Sequence, residues 1–386
     1  MINGSGEILT TKVAVVAGEA VTAMGNDLSS LWLGVMQGRS GVKKLSRFPV
    51  KGCASTLAAC IDELEPEEEN LLADQLVDRL LVHFSFLPED CRVLTATTKA
   101  GIEELERARL QQRKAKARLI SPMAMMDNIV QRYQLNTVPL SINAACASST
   151  IALARGAAMI AQGECEAVFV CAYDAITEFI FCGFSSLKAL SPLPSQPFDS
   201  KRQGLNLGEG AVGIFLMSEE RAIKENKKIM ATISGWGINN DAHHVTAPTR
   251  DGSGLYIAIE KAMNKAQLTS EDIAAISAHG TGTVHNDLME LKAFYNYFRE
   301  KKVPQHSVKG AIGHTLGAAG GIEALLSIKM LEEQVVPPTC GFVEAISEVP
   351  GHVSAAAQRI SGSHILSTNS GFGGVNAALV ISKVSS

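Results

Sequence analysis

The sequence contains no CxxC pair and no Cys/His spacing of the kind that grips zinc, although cysteines stand at 53, 60, 91, 146, 165, 171, 182 and 340. Eight cysteines in 386 residues are too few for a disulfide framework, so they read as reduced cytoplasmic thiols, and no metal is expected. No apolar run approaches the roughly 18 residues that a membrane span needs. No basic start followed by an apolar stretch and a small-residue cleavage site suggests a secretion signal. Charge of one sign is also missing. With 35 Lys and Arg against 39 Asp and Glu, the net charge of −4 is too mild to make nucleic acid or an anionic membrane a general partner.

What is present fits an α/β enzyme-like chain. Hydrophobic residues make up 46%, charged residues 19%, and there are 33 glycines. The length suits two lobes or a duplicated unit. "KVAVVAG" predicts the first strand and "DLSSLWLGVMQG" a helix. Residues 61–83 begin acidic, with Glu63, Glu65, Glu67, Glu68 and Glu69, and continue as an amphipathic stretch. "CRVLTATT" and "EAVFVCAY" predict buried strands. "VPLSINAA" predicts the strand that delivers Cys146, and the alanine-rich "SSTIALARGAAMIAQGE" a helix ending near Gly163.

A second series starts near residue 229 and repeats the order. Strand, small-residue turn and long helix recur in "SVKGAIGHTLGAAGGIEALLSIKMLEEQ", and "SHILSTNSGFGGVNAALVISK" reads as two strands around a glycine turn. Two similar α/β halves, joined near residues 218–228, would cover their sheets with helices and leave loops for chemistry.

Four stretches place reactive groups among small residues, where backbones approach closely. They are "AACASS" with Cys146, "AHGTGT" with His279, "SVKGAIGHTLGAAG" with Lys309 and His314, and "NSGFGGVN" with Phe372. Singly, each has a bland explanation: a structural histidine, an inert buried thiol, a plain turn. The sharper explanation for Cys146 is a nucleophile at a helix N-terminus, where the backbone dipole would hold it as a thiolate. His243 and His244 are adjacent, so on a strand they would point opposite ways and bind no metal together.

Taken together, Cys146, His279 and His314 resemble the Cys-His-His set of the β-ketoacyl-acyl-carrier-protein synthases, condensing enzymes of the thiolase superfamily, and especially their elongating branch. The resemblance runs from "VVAGEAVTAMGN" to "GFGGVNAALVIS" and includes "CGFSSLKALSP", "PFDSKRQGLNLGEGA" and "QVVPPT". It implies a thiolase-like fold of two α/β halves in an α-β-α-β-α layering, residues 11–218 carrying the cysteine and 229–386 the histidines and lysine. It also implies a decarboxylative Claisen condensation of a malonyl thioester with an acyl chain on Cys146, in fatty-acid or polyketide and polyene synthesis. By this resemblance His279 and His314 stabilise the enolate, and Lys309 with Glu323 organises them. The backbone N–H groups of Cys146 and Phe372 form an oxyanion hole, and Thr281, Thr283 and Thr246 contact the phosphopantetheine arm of an acyl carrier protein. No tightly bound cofactor is implied. Asp199, Glu209 and Asp287 match acidic family positions and are read as structural.

The chain departs from the family pattern in three places. "NSGFGG" is one residue short and lacks an aromatic, "RQGL" puts Gln203 and Leu205 where the family has other residues, and the region 75–92 looks trimmed. These differences bear on chain length and partner choice. Carrier-protein docking is expected on the basic run Arg107, Arg109, Arg113, Lys114, Lys116 and Arg118, since carrier proteins are acidic. A homodimer, or a heterodimer with a related ketosynthase-like chain, is expected from the β-prone "TVPLSINAA". Two other readings compete: a non-catalytic partner subunit, which typically loses the cysteine, and a cysteine hydrolase, which does not need two histidines in glycine turns.

Overall fold

The computed structural model describes residues 11–67 and 70–384. Glu68 and Glu69 of the acidic stretch, and the last two residues of the C-terminal half, lie outside the described residues. The frame is a ten-stranded sheet made of two sets of five strands. The first set is β1 (Val13–Thr22), β2 (Arg92–Ala96), β3 (Leu140–Ile142), β4 (Ala167–Asp174) and β5 (Gly210–Ser218). The second is β6 (Ala231–Asn240), β7 (Ile273–Ser277), β8 (Gln305–His306), β9 (His364–Gly371) and β10 (Val375–Ser382). Outward from the centre the sets read β1-β5-β4-β2-β3 and β6-β10-β9-β7-β8, the same order twice. The pairings also repeat: two antiparallel, then two parallel, in each set. The sets join where Val13–Val15 of β1 runs antiparallel to Ala231–Ile233 of β6.

Helices pack around the sheet, among them α1 (Leu72–Leu81), α2 (Glu103–Leu110), α3 (Pro122–Tyr133), α4 (Ser148–Ala161), α5 (Glu178–Ser186), α6 (Ser253–Ala266), α7 (Val284–Phe298) and α8 (Ala319–Glu333). In β4, Val168, Val170 and Ala172 face one core while Phe169, Cys171 and Tyr173 face another. A strand covered on both faces has no polar side, which is why it reads as an unbroken apolar run. Apolar residues of α1 and α3 share the outer core of the first set, and those of α6 and α7 the outer core of the second. Between them, α4 and α8 form a central layer whose core takes residues from both sets. The layering is α-β-α-β-α.

The two central helices touch through their smallest residues. A Cβ added at Gly320 of α8 would lie 1.9 Å from Thr150 Oγ1 of α4. One residue on, Gly321 N–H donates to Ser149 Oγ at 2.9 Å. Close packing at this crossing requires the missing side chain.

Three local expectations change. The strand expected at the start of "SVKGAIGHTLGAAG" is instead a helical turn, Lys309–Ile312, and only Gln305 and His306, just before that stretch, pair in the sheet. Ser307 Oγ accepts the Lys309 N–H at 3.2 Å, a local side-chain bond that competes with strand pairing. The strand before Cys146 is just three residues, partly exposed at the sheet edge. His243 and His244 lie in a loop beyond β6 rather than on a strand, and His244 Nδ1 accepts from Thr246 and Ala247 N–H, both at 3.1 Å.

Candidate active site

Cys146 occupies the turn between β3 and α4, with 6% of its surface exposed. Small neighbours make the turn tight. Ala145 adopts φ of 50°, a conformation uncommon outside glycine. Ser148 Oγ braces it, donating to Ala145 O at 2.6 Å and accepting Ala144 N–H at 2.9 Å. No side chain caps α4 at Ala147, so the first-turn N–H groups and the positive end of the helix stay near the sulfur. Burial nonetheless pushes the thiol up to about 12, with Lys309, Lys99 and the Phe372 backbone N–H pulling it down. The resting sulfur is therefore a thiol. The thiolate expected from the helix dipole alone does not survive removal from water, because a dry pocket disfavours the charged form.

His279 leaves the end of β7, and His314 sits just beyond the Lys309–Ile312 turn. Their rings meet edge to face with centroids 5.2 Å apart. The Cys146 sulfur and one nitrogen of each ring lie within 4.8 Å of one another. Burial first, then the Lys309 charge, holds both imidazoles well below the ordinary histidine range, so both are neutral. Their hydrogen bonds assign the tautomers. His279 Nδ1 faces two donors, Lys309 Nζ at 3.2 Å and Asn369 Nδ2 at 3.1 Å, and His314 Nδ1 accepts Leu316 N–H at 3.3 Å. Each proton then belongs on Nε2, and each ring offers an N–H rather than a lone pair.

Behind the rings, Lys309 and Glu323 form a buried ion pair, and Lys309 Nζ also donates to His279 O at 2.5 Å. Burial raises the Glu323 carboxyl, while Lys309 and Asn369 pull it down. Asn369 Nδ2 donates to Glu323 Oε2 at 2.7 Å, and its Oδ1 accepts from Thr150 of α4. One amide thus ties the histidine support to α4, the helix that follows Cys146. Asp174, at the end of β4, joins the approach to α8 to the loop after β2 by accepting Gly317 N–H at 2.7 Å and Thr97 Oγ1–H at 2.8 Å.

One cavity of about 350 Å³ takes Cys146, His279, His314, Phe372, Thr281, Thr283 and Thr246 into its wall. Lys309 and Glu323 stand behind that wall. Thr281 and Thr283 hydroxyls lie 2.9 Å apart. Their loop hangs on two buried carboxylates of α7. Asp287 accepts Thr281 N–H at 3.0 Å and Phe198 N–H at 2.7 Å. Glu290 accepts His279 N–H at 2.7 Å and Gly280 N–H at 2.6 Å. Burial, reinforced by Asp287, pushes Glu290 up to about 8. Asp199 receives the N–H groups of Val343 and Glu344, and Glu209 pairs with Arg47 and receives Ile61 and Ile176 N–H.

Asn369, Glu290 and Asp174 are the supports that sequence reasoning missed. Asn369 stands three residues before Phe372 in the glycine-rich motif "NSGFGGVN", a signal that was present but unused. The basic run is also altered by neighbours. Arg113 makes two hydrogen bonds to buried Glu104, at 2.6 and 3.0 Å, and Arg107 lies 3.9 Å from Glu103 and from Glu104. Arg109, Lys114, Lys116 and Arg118 remain exposed.

Residues 87–222 match the family described as "Beta-ketoacyl synthase, N-terminal domain", and residues 230–343 match "Beta-ketoacyl synthase, C-terminal domain". The 3-oxoacyl-[acyl-carrier-protein] synthase 2 of Vibrio harveyi is 28% identical, the alignment covering 97% of this chain and 99% of that one. Among solved structures, the ishigamide ketosynthase/chain length factor aligns with a TM-score of 0.88 at 26% identity, over 97% of this chain and 100% of that one. A Xenorhabdus doucetiae ketosynthase in complex with its chain length factor shares the fold, with a TM-score of 0.86 at 24% identity over 97% of this chain and 98% of that one.

Proposed function

This chain belongs to the beta-ketoacyl synthase family, and from that premise we propose that it is a 3-oxoacyl-[acyl-carrier-protein] synthase working through Cys146, His279 and His314. The observation that carries the reading is a buried thiol sharing one cavity with two neutral imidazoles, each left with an Nε2–H to donate.

In the first half-reaction, Cys146 sulfur attacks an acyl thioester on a phosphopantetheine arm. The thiol proton leaves with the departing pantetheine sulfur, and the N–H groups of Cys146 and Phe372 receive the carbonyl oxygen's growing charge. In the second, a malonyl thioester loses carbon dioxide, and its enolate attacks the acyl-cysteine carbonyl. The new carbon–carbon bond releases Cys146, which regains a proton. The enolate oxygen is negative, and two fixed N–H donors in a dry cavity stabilise it without giving up a proton. Thr281, Thr283 and Thr246 position the arm, which is a substrate carrier and not a resident cofactor.

The reading extends to partners. Exposed Val138 and Leu140 beside the edge strand β3 support pairing with a second chain, either a copy or a related ketosynthase-like subunit. Arg109, Lys114, Lys116 and Arg118 suit an acidic carrier protein, while Arg107 and Arg113 serve Glu103 and Glu104. We assign residues 11–218 and 229–386 as the two halves and the cytoplasm as the compartment, in keeping with eight unpaired cysteines.

Incubation with acyl- and malonyl-carrier protein tests the reaction against its two rivals in one assay. A 3-oxoacyl product with carbon dioxide is expected. Free acid would point to a hydrolase, and turnover only after adding a related chain would point to a non-catalytic partner subunit. Reversing Arg109, Lys114 and Lys116 to glutamate raises KM for carrier-bound substrates and leaves kcat intact.

A further inference from the structure

Away from the cavity wall, two sulfurs touch. Cys53 Sγ lies 3.7 Å from Cys182 Sγ, although the two residues stand 129 positions apart in the chain. Both are partly exposed, and neither has a part in the proposed reaction. Cys53 ends a turn in which its own N–H donates to Val50 O at 3.1 Å. Gly52 in that turn has φ of 84° and open space where a side chain would stand, so the turn has room to move. Cys182 sits on α5, and the next residue after Cys53 is already bound to that helix, since Ala54 N–H donates to Ser185 Oγ at 2.8 Å.

α5 also carries Phe184, which lines the cavity and stacks on Phe372 with ring centroids 5.7 Å apart and planes 22° from parallel. Phe372 is the residue whose N–H reaches toward the nucleophilic sulfur. One sulfur of the pair and one residue of the cavity wall thus share a short helix.

We propose that Cys53 and Cys182 are a reversible dithiol–disulfide site, oxidised by a peroxide, whose closure stiffens α5 and slows condensation through the Phe184–Phe372 stack. The chemistry balances with hydrogen peroxide as the oxidant. One thiol takes up an oxygen atom to become a sulfenic acid and releases water. The second sulfur displaces that oxygen as another water, leaving the S–S bond. A dithiol reductant restores both thiols. Closing from 3.7 Å to the ~2.05 Å of a disulfide calls for a small shift of the exposed turn, which Gly52 allows. Burial, the Cys53 sulfur, and the Glu178 and Glu106 carboxylates push Cys182 up to about 11, so oxidation at neutral pH is slow and needs sustained exposure.

The slowing rests on the condensing reading; the linkage does not. Full-length protein is held in hydrogen peroxide, digested without reduction and mapped by mass spectrometry. A peptide pair joined through Cys53 and Cys182, two hydrogens lighter and separated by dithiothreitol, is expected. Amide exchange across residues 178–186 should slow in the linked form. Turnover should fall about fivefold and return on reduction, as for a constrained gating element. Cys53→Ser and Cys182→Ser variants under the same exposure should keep their turnover. Absence of the linked peptide overturns the proposal. So does a linked form with unchanged exchange or turnover, or equal losses in the serine variants, which would assign the damage to Cys146. A chain without condensing activity that still forms the link and slows exchange would sink the functional reading alone.

Discussion

The turn bearing Cys146 and the turn bearing His314 occupy equivalent places in the two halves: each follows the third strand of its set and leads into a central helix. Their construction differs. Residues 143–147 span the first gap, and that turn is held by Ser148 and by small size, with no charged side chain in it. Residues 307–318 span the second, which adds a helical turn, the buried Lys309–Glu323 pair and His314. A nucleophile needs only a rigid seat and an open approach. A stabiliser of developing charge needs its tautomer and orientation held, and that takes a buried polar network. Under the proposed reaction, the same topology supplies one of each.

Removing each turn's reactive group separates them most sharply. Cys146→Ala should abolish acylation, seen as loss of the acyl mass on intact protein. His314→Ala and His279→Ala should still acylate but lose condensation by about 10²–10³-fold, the usual effect of deleting one charge-stabilising donor. If the histidine variants fail to acylate, the division of labour is wrong.

A smaller effect probes the support. Lys309→Ala strands Glu323 in the interior, and chemical denaturation should show a loss of about 3–5 kcal/mol, the range for breaking a buried pair from one side. Lys309→Ala combined with Glu323→Gln should recover much of that stability without recovering condensation. The uncharged first turn has no counterpart to this mutation.

The smallest effect concerns pH. Glu290 is raised from 4.5 to about 8, so between those values the folded chain holds a proton that the unfolded chain has released. Its contribution is full below the unfolded value and is lost as pH rises through about 8, at up to about 1.4 kcal/mol per pH unit. Denaturation midpoints measured from pH 5 to 8 should fall less steeply for Glu290→Gln than for the natural chain. Parallel slopes would mean that the carboxylate is ionised throughout.

Legibility followed burial. Strands β2 and β4 were readable because strands covered on both faces have nearly unbroken apolar sequences, and helix α4 because its run is alanine-rich and free of proline. The two-residue β8 and the Lys309–Ile312 turn were not, since Ser307, Lys309 and Glu323 settle them through contacts that no periodicity records. Cys146, His279, His314 and the three threonines share one wall; the first three each stand in a small-residue motif, and the threonines were legible only through the family resemblance. Asn369 and Glu290 escaped because their partners arrive from other elements. The protonated state of Cys146 was misread for a related reason: a helix end is visible in a sequence, and the loss of water around it is not. The acidic neighbours of Arg107 were partly legible, for Glu103 precedes it by one helical turn.

The meeting of α4 and α8 at Gly320 and Thr150 has a consequence for how such a protein diversifies. The gap across which sulfur and imidazoles face each other is calibrated by a hydrogen atom standing where a methyl would not fit, well inside the molecule. Surface segments can then lengthen, shorten or change charge while the interior calibration carries on undisturbed.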